Sequence, residues 1–248
     1  MKAVIPREHG AWGMLFAPLL VGMFAGGLAA SHVLLVLSML GVYLASYPLI
    51  QWFKNPKRNA HLRGWILGYG AASAVLGLPL VYLYPKLVWL ALPAAVVLMI
   101  NIGFAVRKQE RHILNDLVAI SGLSLGGVAA YYVSTNGFDL TSGVIWLSCF
   151  LVFTGSVLHV KSLIREKGNR TIKAAANIYH VLLVALPIAA EFAFPELLPY
   201  KWMSLAFAFS AIKVWVTPFN KPMRSLTIGM IEIANTVWFA ISAGIVLH

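Results

Sequence analysis

T-G-S-V-L-H-V-K-S-L-I-R-E-K-G-N-R-T-I-K-A-A-A-N-I-Y-H, residues 154–180, decides how this chain is read. One apolar run ends in it, a basic segment crosses it, and a second apolar run begins. The crossing carries Lys161, Arg165, Lys167, Arg170 and Lys173 against one acid, Glu166. His159 stands before it, and Asn177 and His180 after it. Polar groups at the mouth of a membrane helix pair are costly unless they meet water, each other or a ligand. The stretch therefore reads as a turn between two membrane helices with a candidate pocket at its mouth.

Outward from it, apolar runs of about the length of a bilayer span recur to both ends of the chain. Only 11% of the 248 residues are charged and 60% are hydrophobic, with a mean hydropathy of +0.81. This composition belongs to an all-α polytopic membrane bundle. The alternating pattern of a membrane barrel is absent. We read nine spans, at about 12–30, 33–53, 65–84, 87–106, 114–133, 142–160, 172–194, 202–218 and 225–247. No polar stretch is long enough for a soluble module, so residues 1–248 are expected to form a single integral membrane domain. The first apolar run follows the acid-containing segment PREHG and reads as a span rather than a cleavable signal. One cysteine, Cys149, excludes an internal disulfide.

The net charge of +11 would point to nucleic acid in a soluble protein. Here its distribution explains it. Seventeen of the nineteen Lys and Arg residues fall on one side of the nine spans, and only Lys86 and Lys201 on the other. The positive-inside rule then predicts a cell-membrane protein with a cytoplasmic N-terminus and an external C-terminus. Anionic lipid headgroups are the default partner of such loops, and nucleic acid is not expected.

Candidate site residues follow from helical spacing. His159 shares a face with Gly155 and Ser162; Lys173, Asn177 and His180 share a face of the next span. The two faces can enclose one cytoplasmic cavity, or they can be polar glue between packed helices. Tyr47 and Gln51 make a second polar face near the end of span 2. Asp116 opens span 5, where the helix dipole also favours an acid. Glu8 and His9 directly precede span 1 and can cap it or line a pocket. Glu232 lies about 12 Å into span 9 at a rise of 1.5 Å per residue. A carboxylate at that depth needs a partner, and Lys213 of span 8 is the expected one, with Asn235 one turn deeper. HExxH, Cys/His metal-ligand spacing, GxSxG and Walker sequences are all absent.

The nine spans, the basic loops and the opening Pro6-Arg7-Glu8-His9-Gly10-Ala11-Trp12 resemble the YwiC-like family of bacterial integral membrane proteins. A more distant likeness is to the UbiA superfamily of membrane prenyltransferases. Arg7, Pro18 and Gly22, and Arg107-Lys108 ahead of Gly122 and Gly126, are similar to its pattern. That resemblance implies a nine-helix UbiA-like bundle with a site for a prenyl diphosphate at its cytoplasmic ends. It does not imply the superfamily's Mg²⁺. The two Asp-rich motifs correspond to Gln51-Trp52-Phe53-Lys54-Asn55 and to residues 159–170, and neither contains Asp. No cofactor is expected.

Together these readings predict a cytoplasmic-side pocket for a lipid or isoprenoid with an anionic head. Lys161, Arg165, Arg170, Lys173 and Asn177 would contact the head, with Glu8, His9, Tyr47, Gln51 and Asp116 nearby. His159 and His180 would orient it or move a proton, and the glycines of spans 3 and 5 would leave room for the tail. As an enzyme, the protein would be a metal-independent transferase or lyase acting on a membrane lipid. The alternative is a small-solute transporter or a non-catalytic accessory protein, in which a polar track would continue to the outer side.

Overall fold

The computed structural model describes residues 3–6, 9–218 and 223–248. Among these residues there are nine α-helices and no strand. They are α1 His9–Gly26, α2 Ser31–Lys54, α3 Arg63–Leu83, α4 Val88–Val106, α5 Ile113–Thr135, α6 Leu140–Ile164, α7 Arg170–Ala193, α8 Met203–Val216 and α9 Ser225–Leu247. Seven helical segments, all but α1 and α8, are long and apolar enough to cross a membrane. The chain is thus a multi-pass membrane protein by the length and composition of its helices.

Helix ends follow from local chemistry. His112 Nδ1 accepts the Leu114 N–H at the start of α5, and Asn169 Oδ1 accepts from Thr171 and Ile172 at the start of α7. Asp139 caps α6 through a reciprocal box with Ser142 and also accepts the Tyr131 hydroxyl at 2.7 Å. Asn136 ends α5 in the left-handed region at φ 57°, a conformation asparagine tolerates. Pro18, Pro48, Pro79, Pro93 and Pro187 lie inside helices, as membrane helices allow.

The eighth span falls where expected and is short. The expected segment 202–218 is a 14-residue α-helix, about 21 Å long, preceded by a 3₁₀ segment, Pro195–Trp202. Prolines 195 and 199 supply no N–H, so regular α-helical bonding does not run through that segment. A Glu191–Lys201 ion pair of 3.5 Å spans the elbow.

The helices pack around α1, which lies against α5, α6 and α9. On one side α2 packs on α3, α4 and α5; on the other α6, α7, α8 and α9 pack in sequence, with α6 also touching α8 and α9. The α1–α5 crossing is close. A Cβ added at Gly127 would lie 2.9 Å from the Pro18 carbonyl oxygen, so backbone meets backbone there. The other α5 glycines are also packing positions. Val97 of α4 fills the space over Gly122, and Met39 of α2 the space over Gly126. The room for a ligand tail expected along α5 is therefore occupied by side chains.

Candidate functional site

The polar residues of α6 to α9 converge near the end of the bundle that carries the basic loops. Lys213 of α8 is buried, its side chain 1% exposed, and its Nζ lies 2.6 Å from Glu232 Oε2 of α9. The same ammonium donates to Ser156 Oγ of α6 at 3.1 Å. Asn235 Nδ2 reaches Ser156 Oγ at 3.4 Å, and Ser210 Oγ donates to Asn235 Oδ1 at 2.7 Å. Glu232 and Ser156 thus bond the buried cation directly and Asn235 and Ser210 extend the network, which satisfies the requirement that a membrane-embedded charge be paired and hydrogen-bonded.

His159 and His180 lie beside this network. Both are buried, and their rings meet edge to face with centroids 6.4 Å apart. His180 Nδ1 donates to the Ala176 carbonyl at 2.7 Å. That bond leaves Nε2 with the lone pair in the neutral ring. Nε2 faces α6, where a Cβ on Gly155 would sit 2.9 Å from it. Glycine at 155 is what lets the imidazole fit. Lys173, four residues before Asn177, donates to the Val214 carbonyl at 2.7 Å. Lys173 and Lys213 are both within electrostatic reach of His159 and His180. Among the described residues, neither ring nitrogen of His159, nor His180 Nε2, nor Asn177 Oδ1, nor Glu232 Oε1 has a hydrogen-bond partner, although each is buried. Native structures rarely leave such groups unmatched.

Asn177 also lines an apolar groove of about 350 Å³ between α7 and α8, with Ala174, Ile178, Val181, Leu182 and Trp215. On the far side of the network stand three phenylalanines. Phe153, Phe207 and Phe239 stand three or four residues beyond Ser156, Ser210 and Asn235 respectively, toward the opposite end. Phe239 stacks on Phe207 at 6.0 Å and meets Phe153 edge to face at 6.2 Å. All three are buried and form an aromatic floor.

The other sequence-predicted residues are distributed elsewhere. Lys161 turns toward α5, pairing with Asp116 at 3.1 Å and donating to the Arg111 carbonyl at 3.4 Å. Arg165 and Arg170 are exposed at the α6–α7 turn. Tyr47 and Gln51 lie on α2, which packs on α3, α4 and α5. The Gln51 carbonyl accepts from Asn59 Nδ2. Glu8 and the side chain of His9 lie outside the described residues. Sequence reasoning missed Ser156, Ser210 and the phenylalanine floor. The first two were findable, since each lies three residues before a singled-out group, His159 and Lys213.

These features define a polytopic helical membrane protein with a polar network buried among its last four helices. The chain belongs to the YwiC-like protein family, which matches it over residues 5–131. It is 34% identical to "Uncharacterized protein YwiC" of Bacillus subtilis (strain 168), over 96% of each chain. It is 28% identical to a protein of Haemophilus influenzae (strain ATCC 51907 / DSM 11121 / KW20 / Rd), over 97% of each. No solved structure matches the chain.

Proposed function

We propose that the protein binds a membrane lipid or isoprenoid with an anionic head at the polar layer shared by α6, α7, α8 and α9. The observation that carries this reading is the shape of the polar layer. It has cations at Lys173 and Lys213, borders an apolar groove through Asn177, and lies against Phe153, Phe207 and Phe239. A chain in the groove and a head at Asn177, Lys173 and the histidines would match the apolar and polar groups on each side. His159 and His180 would hydrogen-bond the head and are the groups to move a proton on it. Lys161, Arg165 and Arg170, nearer the loop, would raise the local concentration of anionic lipid.

The reading includes a cytoplasmic face for the basic loops, from the seventeen-to-two distribution of Lys and Arg. It includes a UbiA-like ancestry for the bundle without the superfamily's Mg²⁺, because Asp is missing from both corresponding motifs. The test is native mass spectrometry of lipids retained after gentle purification. An anionic amphiphile should be retained by the wild type and lost in Lys173→Met and Asn177→Leu. Retention of zwitterionic lipids alone, or of none, would overturn the reading.

A further inference from the structure

We infer that α3 carries a separate lipid site, a surface groove that seats an acyl chain of an acidic phospholipid, with the phosphate at the basic turn before the helix. The groove measures about 420 Å³ and is lined by His61, Gly64, Trp65, Gly68 and Tyr69. These residues recur three or four apart and so share one face, with the glycines as its floor and the rings as its wall. The Trp65 and Tyr69 rings pack with centroids 5.4 Å apart. The Tyr69 hydroxyl donates to the Val4 carbonyl at 3.3 Å, which holds the wall in place from the N-terminal segment. A Cβ at Gly64 or Gly68 would meet no described atom within 4 Å, whereas Val97 and Met39 fill the space over Gly122 and Gly126. Among the described residues, then, the floor of the groove is open to the lipid phase.

Charge selects the occupant. Lys57 and Arg58 stand four and three residues before His61, in the exposed turn that leads into the groove. No acid occurs between Gln51 and Gln109. Lys54 is paired with Glu110, and among the described residues no ion pair uses Lys57, Arg58 or Arg63. The Arg63 guanidinium lies over the Trp52 ring, 5.6 Å from its centroid, so Lys57 and Arg58 are the cations left for a head. An apolar groove opening beneath unpaired cations matches a molecule with a hydrocarbon chain and an anionic head. His61 can add an N–H donor to the phosphate. A second copy seated on this face, about an axis along the membrane normal, would bring two such basic turns together and is disfavoured. A zwitterionic head would bring its ammonium to the same cations.

The experiment places the full chain in phosphatidylcholine vesicles containing a trace of phosphatidylglycerol with a diazirine in its acyl chain. Irradiation, proteolysis and mass spectrometry then locate the adducts. Trp65 and Tyr69 should be labelled above Met99 and Val106, which are exposed at the end of α4. Added phosphatidylglycerol should displace that labelling at roughly tenfold lower concentration than added phosphatidylcholine of the same chains, since each basic residue near the surface favours an anionic lipid. Gly68→Leu fills the groove without meeting a described neighbour at its Cβ and should abolish the excess labelling. Lys57→Gln with Arg58→Gln should keep the labelling and lose the preference for phosphatidylglycerol. The comparison within the wild type needs no variant, so a misfolded substitution does not remove the test.

Labelling of α3 no higher than that of α4, or displaced equally by the two lipids, would overturn the inference and leave only ordinary lipid contact. Labelling unchanged in Gly68→Leu would overturn the groove as the seat of the chain. Oxidative cross-linking of two Gly68→Cys chains in the same vesicles would give the face to a second copy, which also overturns it. The α7–α8 groove is read from its own peptide, at Ile178 and Leu182, so failure there bears on the proposed function and not on α3.

Discussion

Lys213 Nζ and Glu232 Oε2 lie 2.6 Å apart between α8 and α9, with the lysine side chain 1% exposed and the glutamate side chain 16%. Ser156 adds a second acceptor to the ammonium from α6. Removing either charge would leave the other embedded without its counter-ion. Glu232→Gln and Lys213→Met should therefore each destabilise the protein by roughly 3 kcal/mol or more. The double variant should cost clearly less than the sum, because it leaves no unpaired charge. Thermal unfolding of the four proteins in one detergent measures the cycle, and strict additivity would remove the pair as an energetic unit.

The α6–α7 contact makes a prediction from a single methyl group. A Cβ at position 155 would approach His180 Nε2 at 2.9 Å and Tyr179 Cε1 at 3.0 Å. Gly155→Ala should destabilise by about 1–3 kcal/mol through overpacking and should displace the imidazole. Gly143 lies in the same helix with open space around it. Gly143→Ala should be neutral or mildly stabilising, by up to about 1 kcal/mol. Opposite shifts in melting temperature check the pair; equal shifts would mean that helix propensity, not the contact with His180, dominates at 155.

Topology is tested by reporter fusions. A fusion after His248 should read as external and one inserted in the α6–α7 turn at Gly168 as cytoplasmic. The short α8 makes this a demanding test. If Pro195–Val216 does not traverse the bilayer, the fusion at His248 will report the cytoplasm.

Chelation separates this protein from Mg²⁺-dependent prenyltransferases. Retention of the anionic lipid should be unchanged in EDTA, since the counterparts of the Asp-rich motifs carry no Asp. Loss of retention in EDTA, restored by Mg²⁺, would return the site to the metal-dependent class.

The helices were legible in the residues because a bilayer imposes its thickness on any chain that crosses it. Runs of apolar residues with Asn136-Gly137 or Pro195 and Pro199 between them mark their own boundaries. The 3₁₀ form of Pro195–Trp202, ahead of α8, was not legible, because composition does not distinguish an α-helix from a 3₁₀ segment. Within the site, helical spacing grouped Lys173, Asn177 and His180, since a face is a local property of one helix. The closeness of Lys213 and Glu232 followed from their similar depth on neighbouring helices.

What helical period and depth could not decide was which face meets which. Lys161 lies one turn before Arg165 in the basic turn, yet it turns to Asp116 of α5. Gly122 and Gly126 read as open space and are filled by Val97 and Met39. The phenylalanines at 153, 207 and 239 are three apolar residues among many until α6, α8 and α9 bring their rings together. Helix rotation and pairing are set by the packing of side chains from distant parts of the chain. In a bilayer the lipid-facing and core-facing surfaces are equally apolar, so hydrophobicity alone does not tell them apart.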